Sequence, residues 1–259
     1  MSVRKPARAN ESLSHAFEKP VLIWLAGKLP EWVTPDHLTV FGLLGAALTF
    51  ASCLASSDNL QYLWLAAGGI VVNWFGDSLD GTLARVRRQE RDGYGFFIDH
   101  STDLLSQLLI GIGLGLTPFV RFDAACLALI AYLVLVAYML IRERAFGAMQ
   151  ISFGVLGPTE VRVAIIGLFA WMFYGRPGAL TILHAHFSTI DLIVLVASAG
   201  VFVTLPVAIF MEARRAAGVQ DVRPPRRTEQ EEFGTMVRTA PVALNRDDNA
   251  YRRRGAWRG

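Results

Sequence analysis

The sequence predicts an all-α polytopic membrane protein, with six transmembrane helices preceded by an amphipathic helix on the cytoplasmic surface. Three observations carry this expectation. Of 259 residues 53% are hydrophobic, and the 23 glycines raise the apolar share to roughly 62%, against about 45–50% for soluble domains. Charged residues make up only 18% and collect at the ends: six lie in the first nineteen residues and fifteen in the last 42, leaving 26 between residues 20 and 217. The apolar residues of that middle fall into runs of about 20, the length that crosses a bilayer. Together these exclude a disordered chain and a disulfide-stapled secreted domain, and they weigh against a water-soluble enzyme.

Residues 1–33 read as a cytoplasmic N-terminal segment. Within it, 11–29 set Leu13, Phe17, Val21, Trp24 and Leu25 at helical spacing, with Glu11, Glu18, Lys19 and Lys28 on other faces, the pattern of a helix lying in the membrane interface. The next unit, 34–217, holds the expected spans 35–56, 60–87, 96–116, 123–147, 159–175 and 189–213. Thr34-Pro35 caps the first, Asp123 opens the fourth, and Pro158-Thr159 precedes the fifth. Residues 124–141 are apolar on every face, which a soluble bundle could not present to water. Residues 218–259, with Pro224-Pro225 and the arginine run 252–254, read as a flexible basic tail suited to anionic lipid. Residues 1–19 are polar, so no cleavable signal peptide is expected. Cys53 and Cys126 sit inside spans without paired spacing and read as packing residues. Trp24, Trp32, Trp64, Trp74 and Trp171 read as interfacial or packing residues.

Orientation follows from the basic residues. Arg87, Arg88, Arg91, Arg142, Arg144 and Arg162 fall on one side with both termini, whereas the other side offers Arg121 and Arg176. The positive-inside rule then puts both termini in the cytoplasm, as an even number of spans requires, and a bacterial-type inner membrane is the expected location.

Four carboxylates interrupt two adjacent spans. Asp77, Asp80, Gly81 and Ala84 recur at i, i+3, i+4 and i+7 on the second, and Gly95, Asp99 and Asp103 at i, i+4 and i+8 on the third, so each set shares one helical face. Asp77 lies seventeen residues beyond Leu60, or ~26 Å along a helix, and Asp99 and Asp103 lie in the first turns of the returning helix. The four therefore converge just inside the cytoplasmic interface. With no basic partner on those faces they would repel one another, and two divalent cations would neutralise them. Oxygen-only ligands select hard ions such as Mg²⁺ or Mn²⁺, and paired ions suit attack at phosphorus and hence a diphosphate substrate. Gly81, Ala84 and Gly95 lack bulk where a ligand would approach the backbone, and Arg85 can pair with phosphate oxygens.

The pattern Asp77-x2-Asp80-Gly81-x2-Ala84-Arg85-x9-Gly95-x3-Asp99-x3-Asp103 resembles the full signature of the CDP-alcohol phosphatidyltransferases, over roughly residues 11–215. The resemblance implies six spans, a preceding surface helix, a homodimer among membrane lipids, and a site just inside the cytoplasmic face. It implies Asp77, Asp80, Asp99 and Asp103 as ligands of two divalent cations, and Asp103 also as general base. Gly81, Ala84, Arg85 and Gly95 would lie against the CDP group, with Pro35, Asp36 and Thr39 resembling the family's nucleotide-side element. A departure is Arg91, at a position where some relatives carry a small hydroxyl residue. The implied reaction moves a substituted phosphate from a CDP-linked lipid or alcohol donor to an acceptor hydroxyl, releasing CMP in phospholipid synthesis; no nucleic acid is involved.

Clues to the acceptor point two ways. His100, and Glu160 within Gly157-Pro158-Thr159-Glu160, look like the choline and ethanolamine phosphotransferase branch; Arg142-Glu143 is similar to branches that bind an acceptor's phosphate. Arg142, Arg144 and Arg162 read equally as topology charges, and His100 as an interfacial packing residue. His184 and His186 on the far side read as solvent-facing. Two rival functions are an intramembrane prenyltransferase, suggested by Asn73 beside the aspartates, and a cation transporter. The first does not explain Gly81, Ala84, Arg85 and Gly95; the second would place its acids near the midplane.

Overall fold

The computed structural model describes residues 15–146, 158–182 and 185–220. In chain order they form α1 (His15–Lys28), α2 (Pro35–Ala55), α3 (Tyr62–Val86), α4 (Asp92–Gly115), α5 (Phe122–Phe146), α6 (Pro158–Gly175), β1 (Ala179–Ile182), β2 (Ala185–Ser188) and α7 (Thr189–Gln220). Every expected span has its helix, and the lead-in helix is present. The chain divides into two compact units at Pro206, inside α7. In the second unit Glu212 and Arg215 lie 3.9 Å apart one turn along the helix. Of the expected tail 218–259, residues 218–220 continue α7 and the rest lies outside the described residues.

Among the described residues, three helical segments are long and apolar enough to cross a membrane: Pro35–Ala55, Phe122–Arg142 and Thr189–Ala217. Exposed apolar side chains run along them, among them Leu44, Ile130, Val196 and Val203, the last two about 70% exposed. Water would not tolerate that surface and lipid does. α3 and α4 carry the carboxylates, and α6 has 18 residues with Glu160 and Arg162 in its first turns.

The helix ends obey local chemistry. Thr34 caps α2: its Oγ1 accepts from the His37 N–H, while His37 Nδ1 accepts from the Thr34 N–H. α3 closes on a Schellman turn, with Gln89 N–H bonded to Ala84 O and Arg88 N–H to Arg85 O. Arg88 holds the left-handed position, φ 55°, where glycine is usual. That turn returns the chain as α4.

α3 is the central helix, packing on α1, α2 and α6 and more lightly on α4, while α4 joins α2 to α5. The α2–α3 seam is backbone against backbone. A Cβ on Gly76 would lie 2.5 Å from Leu38 O and from Gly42 N, and one on Gly45 would lie 2.5 Å from Asn73 N. Gly42, Gly45 and Thr49 on α2 meet Gly69 and Gly76 on α3, the small-residue packing that lets membrane helices approach. Two apolar clusters flank the seam. One gathers Leu63, Ile70, Phe169, Met172 and Ile190 at the far end; the other joins Leu22 and Ala26 of α1 to Val33, Leu38, Leu79 and Leu83.

α1 thus packs through Leu22 and Ala26, with Leu25 partly covered, whereas Val21 and Trp24 of the expected apolar face point outward, Trp24 62% exposed. Leu13 lies outside the described residues. Arg87, at the end of α3, fastens the α1–α2 link: its guanidinium donates to the carbonyls of Leu29 (3.0 Å), Pro30 (2.9 Å) and Val33 (2.5 Å). One planar fork serving several carbonyls is an arginine property. Arg87→Ala is expected to lower the thermal midpoint in detergent by a few degrees, with Arg87→Lys restoring only part; equal midpoints for Arg87→Ala and wild type would show the clamp to be idle.

The far-side loop differs from expectation. Residues read as a loop form an antiparallel hairpin, Ala179 opposite Ser188 and Ile182 opposite Ala185. His186 is on β2; His184 lies outside the described residues. The buried carboxylate of Asp191 holds the junction, accepting from the backbone N–H of Arg121 (2.8 Å) and Ser188 (2.7 Å), an anchor the charge pattern did not reveal.

Candidate active site

The close α2–α3 seam brings Thr39 to Asp80. Thr39 Oγ1 donates to Asp80 Oδ2 at 2.6 Å, with the Pro35 carbonyl as its other acceptor at 3.1 Å. The other Asp80 oxygen accepts the N–H of Gly81. Asp80 is buried at 7% exposure, so these donors fix its rotamer. Two turns deeper along α3, Asn73 ties three helices, donating from Nδ2 to Gly42 O (3.1 Å) and Ser106 Oγ (3.2 Å).

Asp77, Asp99 and Asp103 come together as their spacing requires, with one carboxylate oxygen from each within 4.8 Å of the others. Asp80 stands one turn from Asp77 in the wall beside them. The expectation that these faces lack a basic partner needs correction: Arg162 of α6 places Nη2 2.6 Å from Asp77 Oδ2. Helical periodicity orders residues within one helix and is silent about a side chain delivered from another. Tyr132 of α5 also lies within electrostatic reach of Asp77, Asp103 and Arg162, a neighbour that sequence reading missed for the same reason.

Two cavities meet at Thr39 and Asp80. The larger, an open cleft of about 110 Å³, is lined by Pro35, Asp36, Gly81, Ala84, Gly95 and Asp99 in addition. Six of the seven residues expected against the nucleotide therefore line one cleft. The seventh, Arg85, is exposed beside it, donating to Thr82 Oγ1 at 3.2 Å with its guanidinium over Gly81. Arg91, the departure from the family pattern, does line the cleft, paired with Asp36 at 2.5 Å and stacked 4.2 Å from the centre of the Tyr94 ring. The smaller, deeper cavity, with room for about one water, is bounded by Asn73, Asp77, Asp80, Thr102, Asp103 and Ser106 among others.

The remaining candidates divide. His100 stacks on Phe96, with centroids 4.1 Å apart, keeps Nδ1 3.0 Å from Phe96 O and stands 3.6 Å from Asp99 Oδ2. Arg144 also lies over the Phe96 ring, 4.1 Å from its centre. Arg142 and Glu160 are half-buried and engaged. Gly157 lies outside the described residues. The donor set itself suits hard divalent cations: converging carboxylates with hydroxyls and carbonyls nearby, and no sulfur or imidazole among the clustered ligands.

Fold and site together define a helical membrane protein with an acidic cluster at one end of its bundle, opening into a cleft walled by small residues. The chain belongs to the CDP-alcohol phosphatidyltransferase family, whose model matches residues 32–204. Members of that family are transferases of substituted phosphate groups and use divalent cations. Cholinephosphotransferase 1 of Gallus gallus is 27% identical over 164 residues, 61% of this chain and 48% of that protein. Archaetidylinositol phosphate synthase of Pyrococcus horikoshii is 32% identical over 134 residues, 52% of this chain and 67% of that protein. The human cholinephosphotransferase 1 is 22% identical over 159 residues, 59% and 39% of the two chains. The chain spans about half the length, or less, of the cholinephosphotransferases it matches.

Proposed function

We propose that this chain transfers a substituted phosphate group from a CDP-linked donor to an acceptor hydroxyl, releasing CMP, in phospholipid biosynthesis. The observation that carries the reading is the division of the aspartates between two joined cavities: Asp99 lines the small-residue cleft, Asp77 and Asp103 line the deeper cavity, and Asp80 lines both. A nucleotide in the cleft against Pro35, Asp36, Thr39, Gly81, Ala84 and Gly95 would set its diphosphate at the shared wall. Arg85 stands at the rim, where it can take a phosphate oxygen.

An acceptor hydroxyl reaching the deeper cavity meets Asp103, which takes its proton. The alkoxide oxygen forms its bond to the phosphorus farther from cytidine. The bond from that phosphorus to the bridging oxygen breaks, and CMP leaves with the oxygen. Asp77, Asp80, Asp99 and Asp103 would hold two divalent cations, Mg²⁺ or Mn²⁺, whose chemistry is to neutralise the diphosphate. The Thr39 and Gly81 donors hold the Asp80 carboxylate in place at that wall.

The wider setting is an integral membrane homodimer with six spans, 34–217 as the catalytic unit, 1–33 as a cytoplasmic segment with its interfacial helix, and 218–259 as a basic tail. Both termini and the site face the cytoplasm, in a bacterial-type inner membrane. The outward-facing Val21 and Trp24 support α1 as an interfacial helix.

Purified protein with Mg²⁺ or Mn²⁺ should release CMP from one donor class. The choice is CDP-diacylglycerol with glycerol phosphate, inositol phosphate, serine or inositol, or else CDP-choline or CDP-ethanolamine with diacylglycerol. Exhaustive chelation should abolish that release and readdition restore it. CMP release that survives chelation would end the metal assignment, and cation flux in proteoliposomes without CMP release from any pair would favour a transporter.

A further inference from the structure

By sequence, Arg162 reads as a topology charge or an acceptor contact. Its geometry adds a contact that neither reading contains. A topology charge faces water, whereas Arg162 is turned inward, its side chain 15% exposed, with Nη2 2.6 Å from Asp77 Oδ2. Asp77 is one of three carboxylates whose oxygens approach within 4.8 Å, and Arg162 also acts electrostatically on Asp103 and Tyr132. The guanidinium therefore contributes positive charge at the point where a divalent cation would bind. An oxygen lone pair engaged by an N–H is not free to coordinate a metal, and two cations sharing one carboxylate repel each other.

We propose that Arg162 is the resident counter-ion of the aspartate cluster and competes with a divalent cation for Asp77. Without metal, it offsets part of the repulsion among Asp77, Asp99 and Asp103. As metal binds, it leaves Asp77 and is freed for the anionic oxygens of a bound substrate. This deepens the proposed function and rests on it for the identity of the cation.

The test is Mn²⁺ binding to the full-length protein in detergent, followed by calorimetry and by the electron paramagnetic resonance signal of free Mn²⁺. Wild type, Arg162→Gln, Arg162→Lys and Asp99→Asn are compared. Arg162→Gln should bind Mn²⁺ more tightly, on the order of tenfold, and Arg162→Lys, which keeps the charge, should stay near wild type. Mn²⁺ should also raise the thermal midpoint of Arg162→Gln more than that of wild type, because the metal-free variant starts with unbalanced acids. Unchanged or weaker Mn²⁺ binding in Arg162→Gln, beside wild-type binding that Asp99→Asn abolishes, would overturn the role of Arg162 while leaving the metal site intact. No Mn²⁺ binding by wild type and Arg162→Gln alike would overturn both.

Discussion

Asp103→Asn should keep the fold and much of the donor binding while lowering CMP release by about 10²–10⁴-fold, the range supplied by a positioned general base. Asparagine has nearly the shape of aspartate and can still offer its carbonyl oxygen, but it cannot accept the hydroxyl proton. Asp103 borders the deeper cavity and not the larger cleft, so the substitution should spare the nucleotide side. The loss should appear in kcat more than in the KM of the donor. Because Asp103 also belongs to the carboxylate cluster, the deciding control is excess Mn²⁺. Turnover that excess metal restores would make Asp103 a ligand alone, and near-normal CMP release without it would remove Asp103 from the chemistry.

Gly76→Ala should be among the most damaging single-carbon changes in the molecule. Its Cβ would lie 2.5 Å from Leu38 O and from Gly42 N, and 2.6 Å from Gly42 Cα, all main-chain atoms that no rotamer change can move. The helices must part, at a cost of about 1–3 kcal/mol or more for overpacking. Parting them also pulls Thr39 from Asp80, whose 2.6 Å bond spans the same seam. Both the thermal midpoint and CMP release should fall. Gly68, on the same helix, has no heavy atom within 4 Å of the corresponding position, so Gly68→Ala is the matched control. It should be neutral or stabilising, since glycine costs a helix about 1 kcal/mol relative to alanine. Equal behaviour of the two variants would show that the seam does not depend on close approach.

The aspartates were legible because a helix has a fixed period: residues at i, i+4 and i+8 must share a face, and Asp99 and Asp103 do meet Asp77. The Thr34 cap was legible because a capping threonine stands directly before a first-turn proline, while its exchange with His37 was not. Other features were not. The pairing of 179–182 with 185–188 is announced by no strong turn signal in a short apolar segment. The seam glycines leave a trace, small residues at 42, 45 and 49 and again at 69 and 76, but the distance between two helices is set by both surfaces at once. α1 illustrates the same limit: its apolar residues announced a helix, while the helix it packed against decided that Leu22 and Ala26 turn inward and Trp24 outward.

By itself, then, the sequence determined the membrane character, the order of the helices, the family and the four aspartates, because apolar run length and local period are properties of neighbouring residues. Only the tertiary structure decided that Thr39 grips Asp80, that Asn73 ties α2 and α4 to α3, that Arg87 clamps the α1–α2 link and that Arg162 sits on Asp77. Each of those contacts joins residues more than 30 positions apart, and what brings them together is the packing of whole helices.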